Sequence, residues 1–188
     1  DGNMDLATAN EGTHDFCIFL GNGLGAFAPA VSYPTASEAS SVTAADFDGD
    51  SNLDLVVTQF HHDSVGIFMG DGAGNFTLKA YYFAGLNSES EESVASDVNE
   101  DGILDLVVGT WAGYISVLIG DGTGAFPTTI KYNSTGNKAT CAITGDFNTD
   151  GHLDIAACNY FSNDVSILTG DGLGNFTATV NYPIGGVK

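Results

Sequence analysis

Hydrophobic residues along the chain fall into short runs that are rich in β-branched and aromatic side chains. Clusters of Gly, Asp, Asn and Ser separate these runs, and no stretch keeps the spacing of an amphipathic helix. Such a pattern is typical of β-strands joined by tight turns. In the stretch from residue 41 to residue 83 it predicts four strands, at Ser41–Phe47, Leu53–Gln59, Ser64–Met69 and Phe76–Phe83.

The same four-strand pattern recurs through the chain. Gly-rich heptads of the form G-[DN]-G-x-G-x-F begin at Gly21, Gly70, Gly120 and Gly170, at spacings of 49, 50 and 50 residues. The Asp-Gly or Asn-Gly pair in each heptad supplies the positive φ angles that a tight hairpin turn needs. Four-stranded units repeated in tandem at about 50 residues are typical of β-propeller blades. The sequence therefore predicts an all-β fold, a single, partial β-propeller over residues 1–188 with four-stranded antiparallel blades at about 1–37, 38–88, 89–137 and 138–188, the first of them lacking its first strand.

An acidic nine-residue loop lies between the first and second strands of each complete repeat. Carboxylate or amide oxygens occupy loop positions 1, 3, 5 and 9, and position 7 would offer its backbone carbonyl. Oxygen donors that alternate along a tight loop converge on one centre, which suits Ca²⁺ with its six to eight oxygen ligands. Zinc would need His or Cys, and magnesium a stricter octahedral geometry. The alternative is that these residues only form polar turns.

The pattern predicts three complete Ca²⁺ sites and a fourth, partial one. The predicted ligands are Asp46, Asp48, Asp50, Asn52 and Asp54; then Asp97, Asn99, Asp101, Ile103 and Asp105; then Asp146, Asn148, Asp150, His152 and Asp154; and, in the partial first copy, Asp1, Asn3 and Asp5.

The two motifs together, D-x-[DN]-x-D-G-x-x-D-L and G-[DN]-G-x-G-x-F, resemble the FG-GAP/VCBS repeats of integrin alpha-subunit propellers and many secreted proteins. The resemblance covers essentially the whole chain. It implies a seven-bladed ring, calcium in the loop between strands one and two, and an extracellular binding or adhesive role. Because both ends of the sequence fall inside a repeat, we expect a segment of a larger propeller or a partial ring.

The charge of the chain narrows its possible partners. The chain has twenty-four acidic residues, four Lys and no Arg, so its formal net charge is −20. A nucleic-acid or anionic-membrane binder would need cations, so both classes are disfavoured. No apolar run approaches the roughly 20 residues that span a bilayer. We therefore expect a secreted or cell-surface protein that meets an extracellular protein or glycan, or other copies of itself, and N-glycosylation sequons at Asn75, Asn133 and Asn175 agree with secretion.

The loops opposite the predicted calcium loops carry an aromatic residue at a repeated position. These residues are Phe60, Trp111 and Tyr160. Their rings could stack on a sugar or on a protein partner, or could instead cap the core between blades. The first use would make the chain a lectin-like propeller.

Other reactive side chains give no clear sign of catalysis. His14, His61 and His62 belong to the same loops, where they could bind a transition metal or simply form exposed turns. Cys141 and Cys158 fall at nearly opposed positions of adjacent strands, so a disulfide and two free thiols are both conceivable.

No nucleophile-elbow or zinc-hydrolase motif occurs, and we expect no enzyme. The leading prediction is an extracellular calcium-binding module with a structural or adhesive role; a lectin-like propeller, or a non-catalytic propeller attached to a secreted enzyme, is the alternative.

Overall fold

The computed structural model describes residues 2–85, 90–134, 136 and 138–185. Within these residues the chain forms short antiparallel strands and one 3-10 turn, at Glu11–Thr13. The strands are β1 (Leu6–Asn10), β2 (Asp15–Phe19), β3 (Val31–Pro34), β4 (Ala39–Ala45), β5 (Asp54–Gln59), β6 (Ser64–Gly70), β7 (Phe76–Phe83), β8 (Ser90–Ser96), β9 (Asp105–Thr110), β10 (Tyr114–Ile119), β11 (Thr128–Asn133), β12 (Ala139–Gly145), β13 (Asp154–Asn159), β14 (Asp164–Gly170) and β15 (Phe176–Pro183). Among the described residues, no helix has the length and apolar character needed to cross a membrane.

Each sheet is a meander in which consecutive strands pair side by side. Strands β1 to β3 form a three-stranded sheet, which we call blade 1. Blades 2, 3 and 4 are the four-stranded sheets β4–β7, β8–β11 and β12–β15. The predicted all-β fold of tandem antiparallel blades is confirmed.

The first predicted strand of blade 2 differs from the observed one. We predicted Ser41–Phe47, whereas β4 ends at Ala45. The reason is that the N–H of Phe47 donates to the carboxylate of Asp54, 3.0 Å away, and so belongs to the acidic loop rather than to the sheet. The strand also begins earlier than predicted, at Ala39, which pairs with Gln59.

The hydrophobic core lies between the blades rather than within any one of them. Three buried clusters each join the facing residues of two neighbouring blades. Side chains alternate along a strand, so Leu55 and Val57 pack toward blade 1 whereas Val56 packs toward blade 3. Every residue of β5 is buried, because this strand has a neighbouring blade on both sides. That burial accounts for the continuous apolar run in the sequence, where a half-exposed strand would alternate.

A repeated aromatic pair joins each blade to the next. The Tyr of one blade meets the heptad Phe of the following blade edge-on, with ring centroids 5.9 Å apart for Tyr33 and Phe76. The equivalent distances are 5.6 Å for Tyr82 and Phe126 and 5.4 Å for Tyr132 and Phe176. At the first and third of these interfaces the Tyr hydroxyl also donates to a backbone carbonyl, Gly74 O at 3.3 Å and Gly174 O at 2.9 Å. At these three interfaces, the Tyr and Phe rings therefore form part of the contact between blades.

Candidate metal centre

The acidic loop of blade 2 brings three carboxylates together. One oxygen from each of Asp46, Asp48 and Asp50 lies within 4.8 Å of the others. Asp46 is held in place by the backbone N–H groups of Gly49 and Ser51, at 2.7 and 2.9 Å. Ser51 adopts a φ of 72°, so the chain makes the same sharp bend that Gly makes in the other loops. Hard oxygens that share one small volume are the donor set that calcium prefers.

The loops of blades 3 and 4 carry an amide where the blade 2 loop has its second carboxylate. The side-chain nitrogen of Asn99 donates to Asp101 at 2.9 Å, and that of Asn148 donates to Asp150 at 2.8 Å. With an amide in place of one carboxylate, and its NH₂ group donating to another, these loops hold less negative charge than the loop of blade 2. A cation at either loop would have to displace them, since only the amide oxygen can ligate a metal.

The Asp at loop position nine is more deeply buried than the other carboxylates of the loop. It is fully buried in all three complete repeats. Each of its two oxygens accepts a backbone N–H, one from loop position two and one from the first Gly of the heptad. The donors and distances are Phe47 (3.0 Å) and Gly70 (2.8 Å) to Asp54, Val98 (3.1 Å) and Gly120 (2.9 Å) to Asp105, and Phe147 (3.0 Å) and Gly170 (2.9 Å) to Asp154. Position nine therefore anchors the loop to the sheet, and each oxygen keeps a second lone pair for a cation.

Burial of these anchoring carboxylates changes their acidity. Desolvation raises the pKa of Asp105 to about 6, although the two backbone N–H groups oppose the shift. Burial likewise raises the pKa of Asp54 above its ordinary value. The nearby loop carboxylates add to both shifts, because a second negative charge disfavours ionisation. A divalent cation would act in the opposite direction.

The first Gly of each heptad is part of the same arrangement, and the sequence reasoning missed this. A Cβ at Gly70 would collide with the backbone carbonyl of Leu53, at loop position eight. The same collision with the position-eight carbonyl would arise at Gly21, Gly120 and Gly170. Only Gly allows the loop to approach closely enough for its N–H to reach the position-nine carboxylate. The nearly constant separation between that Asp and this Gly was the available signal.

The remaining predicted ligands take varied positions. Asp1 lies outside the described residues, Asn3 is exposed, and Asp5 accepts the N–H of Gly21 at 2.7 Å. At position seven, the imidazole of His152 bonds to the Glu100 carboxylate of the preceding blade at 2.6 Å. This contact raises the pKa of His152. The partial first site therefore offers fewer described donors than the other three.

Comparison with known sequences identifies the repeat. The sequence profile described as an FG-GAP-like repeat matches residues 1–57 and 97–157, more than half of the chain. The chain belongs to the FG-GAP-like repeat family. The predicted family resemblance is thereby confirmed. No curated protein matches the sequence significantly.

Solved structures show the same fold at low sequence identity. A lectin from Agrocybe aegerita, described as recognising non-reducing terminal N-acetylglucosamine, aligns with a TM-score of 0.64 and 19% identity over 96% of this chain and 49% of its own. BBS1N, solved in complex with ARL6DN, gives 0.65 and 15% over 98% of this chain and 50% of its own. A protein from Lactobacillus plantarum gives 0.67 and 16% over 95% and 54%. The FG-GAP-like chain thus spans about half the length of these structures.

The aromatic positions opposite the acidic loops do not form one continuous platform. The rings of Phe60 and Trp111 are half-buried and pack edge-on, 4.9 Å apart, across the interface between blades 2 and 3. Lys138 lies over the Trp111 ring. Tyr160 differs, because it is 67% exposed and stands beside the exposed ring of Phe161. In the FG-GAP-like fold, the first two rings contribute to the contact between blades.

Two of the three histidines of this face lie beside one carboxylate. The ring nitrogens of His14 and His61 lie 3.9 and 3.3 Å from Glu38. His62 instead contacts the Ser64 hydroxyl at 2.8 Å. Among the described residues, the only group of three or more potential His, Cys or carboxylate metal ligands is the one in the blade 2 acidic loop. His14 and His61 therefore lie beside the Glu38 carboxylate at the junction of blades 1 and 2, and His62 is not part of this group.

The three sequons occupy unequal environments. All three Asn residues are exposed. The side-chain nitrogens of Asn75 and Asn175 donate to Asp71 and Asp171, at 2.7 and 2.9 Å, within the heptad turns. Asn133 ends strand β11. Attachment of a glycan to either heptad Asn would remove a donor hydrogen from the turn, so Asn133 is the most favourable acceptor.

The two cysteines of blade 4 face each other across the sheet. Cys141 pairs with Cys158 in the register of β12 and β13, and both are free thiols. Burial raises the pKa of Cys141 to about 12, with further contributions from the Glu92 carboxylate and from Cys158. The predicted opposition of the two residues is confirmed.

Proposed function

We propose that the chain is an extracellular propeller module that calcium stabilises and that acts as a structural or adhesive surface. The observation that carries the proposal is the convergence of Asp46, Asp48 and Asp50, whose oxygens lie within 4.8 Å of one another. The same loop is built in blades 3 and 4, where the position-nine Asp anchors it in the same way. Calcium would be held by the loop carboxylates and amide oxygens.

Calcium bound in these loops would stabilise the folded state. Without a cation, the loop carboxylates repel one another at short range. A cation that binds only the folded form contributes about 1.4 kcal/mol per site at ten times its dissociation constant, and about 2.7 kcal/mol at a hundred times. Because each loop joins the first strand of a blade to the second, this stabilisation would act on that pair of strands.

Isothermal titration with CaCl₂ tests the proposal by counting sites. We expect three sites in the parent chain. Asp48→Ala should remove one of them, because Asp48 accepts only the N–H of Asp50 within its own loop and little else is lost. Glu11→Gln is the control, since it also removes one charge but lies in an exposed turn outside the acidic loops. An unchanged number of sites in Asp48→Ala would contradict the assignment.

Thermal unfolding gives a second, independent measure. We expect excess chelator to lower the melting temperature of the parent chain and calcium to restore it, whereas magnesium at the same concentration should restore less. Magnesium demands a stricter octahedral site than these flexible loops provide. A melting curve that is the same in chelator and in calcium would refute the stabilising role.

Two arguments support the extracellular and adhesive part of the proposal: the calcium concentration that such loops need and the net charge of the chain. Calcium loops of extracellular modules work at about 0.1–1 mM calcium, a level found outside cells. A net charge of −20 suits a protein partner with a basic surface. Labelled chain should bind to protease-sensitive sites on cells in about 1 mM calcium and be released by chelator. Binding that survives both protease and chelator would contradict this role.

A lectin-like role is the second candidate, and the exposed pair Tyr160 and Phe161 favours it. These rings lie beside a cavity of about 550 Å³ that Asn163 and Asp164 also line. Exposed rings next to polar groups suit the stacking and hydrogen bonding of a sugar. A glycan array should then show binding that Tyr160→Ala abolishes and Glu11→Gln leaves unchanged. An array on which the parent chain binds no glycan, or binds equally well as Tyr160→Ala, would exclude this candidate.

A further inference from the structure

We propose that Cys141 and Cys158 form a disulfide bond that joins strands β12 and β13 of blade 4, with a small-molecule disulfide such as oxidised glutathione as the oxidant. The two residues are partners in the register of these strands, and both are free thiols in the structure. Both belong to blade 4 itself, so their opposition does not depend on what precedes or follows this sequence. Calcium has no part in the reaction.

The geometry of an antiparallel strand pair suits a disulfide at this position. Residues directly opposite each other in such a pair have Cα atoms about 4.5–5.5 Å apart, and disulfides join Cα atoms that are about 4.4–6.8 Å apart. The two thiols are already in contact, since Cys158 forms a side-chain hydrogen bond with Cys141. Rotation of the side chains is therefore enough to bring the two sulfurs to bonding distance.

The register of the strands selects one pairing among the three that three cysteines allow. Cys17 lies in blade 1, where its partners in the neighbouring strands are Thr8 and Ser32. In blade 2, the residues equivalent to the thiols of blade 4 are Ser41 and Thr58, which are partners in the same register. Opposed cysteines are thus a particular feature of blade 4.

The surroundings of the two thiols set the order of the reaction. Cys158 is exposed in this chain. Burial raises the pKa of Cys141 to about 12, and the Glu92 carboxylate of blade 3 and Cys158 add to the shift. Because the thiolate is the nucleophile in disulfide exchange, Cys158 attacks the oxidant first.

The bond forms in two exchange steps. In the first step, the Cys158 thiolate attacks one sulfur of oxidised glutathione, the S–S bond of the oxidant breaks, and one glutathione leaves as a thiolate that takes up a proton. In the second step, Cys141 releases its proton to solvent and attacks the Cys158 sulfur of the mixed disulfide, which releases the second glutathione. The two cysteines lose two electrons in all, and these electrons reduce one glutathione disulfide to two thiols.

The cross-link would hold together the strand pair that carries an acidic loop. The loop of blade 4 occupies residues 146–154, between the two cysteines in sequence. A disulfide that closes a ring of this size, residues 141–158, restricts the unfolded chain, so we expect it to raise the melting temperature by about 5–10 °C. Such bonds persist in the oxidising conditions outside cells, which agrees with the extracellular role proposed above.

Peptide mapping of the 188-residue chain after incubation in a glutathione redox buffer tests the pairing. The remaining thiols are alkylated, and a protease that cleaves at Asp separates the two cysteines, because Asp146, Asp150 and Asp154 lie between them. We expect one pair of linked peptides, and Cys17 in alkylated form. A link that includes Cys17, a product that stays a glutathione adduct, or three alkylated cysteines would overturn the proposal.

Thermal unfolding in excess chelator measures the effect of the bond without a contribution from calcium. The oxidised chain should melt about 5–10 °C above the reduced chain. The double variant Cys141→Ser with Cys158→Thr carries the residues that blade 2 has at these positions, and it should melt at one temperature under both conditions. Cys17→Ser is the control and should keep the whole shift.

Equal melting temperatures of the oxidised and reduced parent chain would refute the stabilising cross-link, as would a shift that persists in the double variant. Either result would leave the number of calcium sites in the titration unchanged. Failure of this inference is therefore distinguishable from failure of the proposed function.

Discussion

Replacement of Asp105 by Asn separates the anchoring role of loop position nine from a role in metal binding. The two oxygens of Asp105 accept the N–H groups of Val98 and Gly120, at 3.1 and 2.9 Å, in a fully buried site. A hydrogen bond to a charged group contributes about 1.5–3 kcal/mol. Asn keeps one acceptor but turns an NH₂ group toward the other donor. One lost bond and an unpaired buried N–H cost about 2–4 kcal/mol. The neutral amide recovers part of this cost, because burial of the ionised Asp105 carboxylate is itself unfavourable and raises its pKa. We therefore expect a net loss of about 1–2 kcal/mol in the free energy of unfolding.

Urea unfolding in excess chelator at neutral pH measures this loss without a contribution from metal. Glu11→Gln is the control, because it also removes one charge but lies in an exposed turn outside the acidic loops. It should change the free energy of unfolding by no more than about 0.5 kcal/mol. If Asp105→Asn lowers the free energy of unfolding in chelator by no more than about 0.5 kcal/mol, the hydrogen bonds of the carboxylate do not stabilise the loop.

Two further predictions concern the contact between blades and the thiols. Tyr132→Phe should lower the free energy of unfolding by about 1 kcal/mol, because it removes the hydrogen bond from the Tyr132 hydroxyl to Gly174 O. Tyr182→Phe is the control, because the Tyr182 ring is exposed, and it should leave urea unfolding unchanged. Equal losses in the two variants would refute the reasoning. Cys141, with its pKa raised to about 12, should remain a protonated thiol at pH 8, so iodoacetamide should label it more slowly than the exposed Cys158. Peptide mass spectrometry gives both rates, and fast labelling of Cys141 at pH 8 would contradict the prediction.

Most of the fold could be predicted from the repeat motifs. Gly-rich heptads and acidic loops at constant spacing located the turns, and the last three strands of blade 2 followed with errors of at most one residue at their ends. The first strand was placed too late, because Phe47 looks like a strand residue in sequence but gives its N–H to Asp54. A hydrogen bond from the backbone to a side chain within the loop leaves no trace in the pattern of apolar residues.

The candidate site was only partly predictable. The spacing of acidic residues indicated that Asp46, Asp48 and Asp50 converge, and the structure brings them together. It could not show that the position-nine Asp is buried with both oxygens engaged, because burial depends on the neighbouring blade. The aromatic positions were ambiguous for the same reason. Phe60 is covered by Trp111 of the next blade, whereas nothing among the described residues covers Tyr160 to the same extent.

The location of the core between blades has a consequence for how this protein unfolds. Each cluster joins only two adjacent blades, so the blades form a linear series coupled to nearest neighbours. Loss of blade 1 or blade 4 removes one cluster, whereas loss of blade 2 or blade 3 removes two. Local opening in the isolated chain is therefore least costly at the outer blades and most costly in the middle. A blade added at either end would move that weak point outward and protect the blade that it covers.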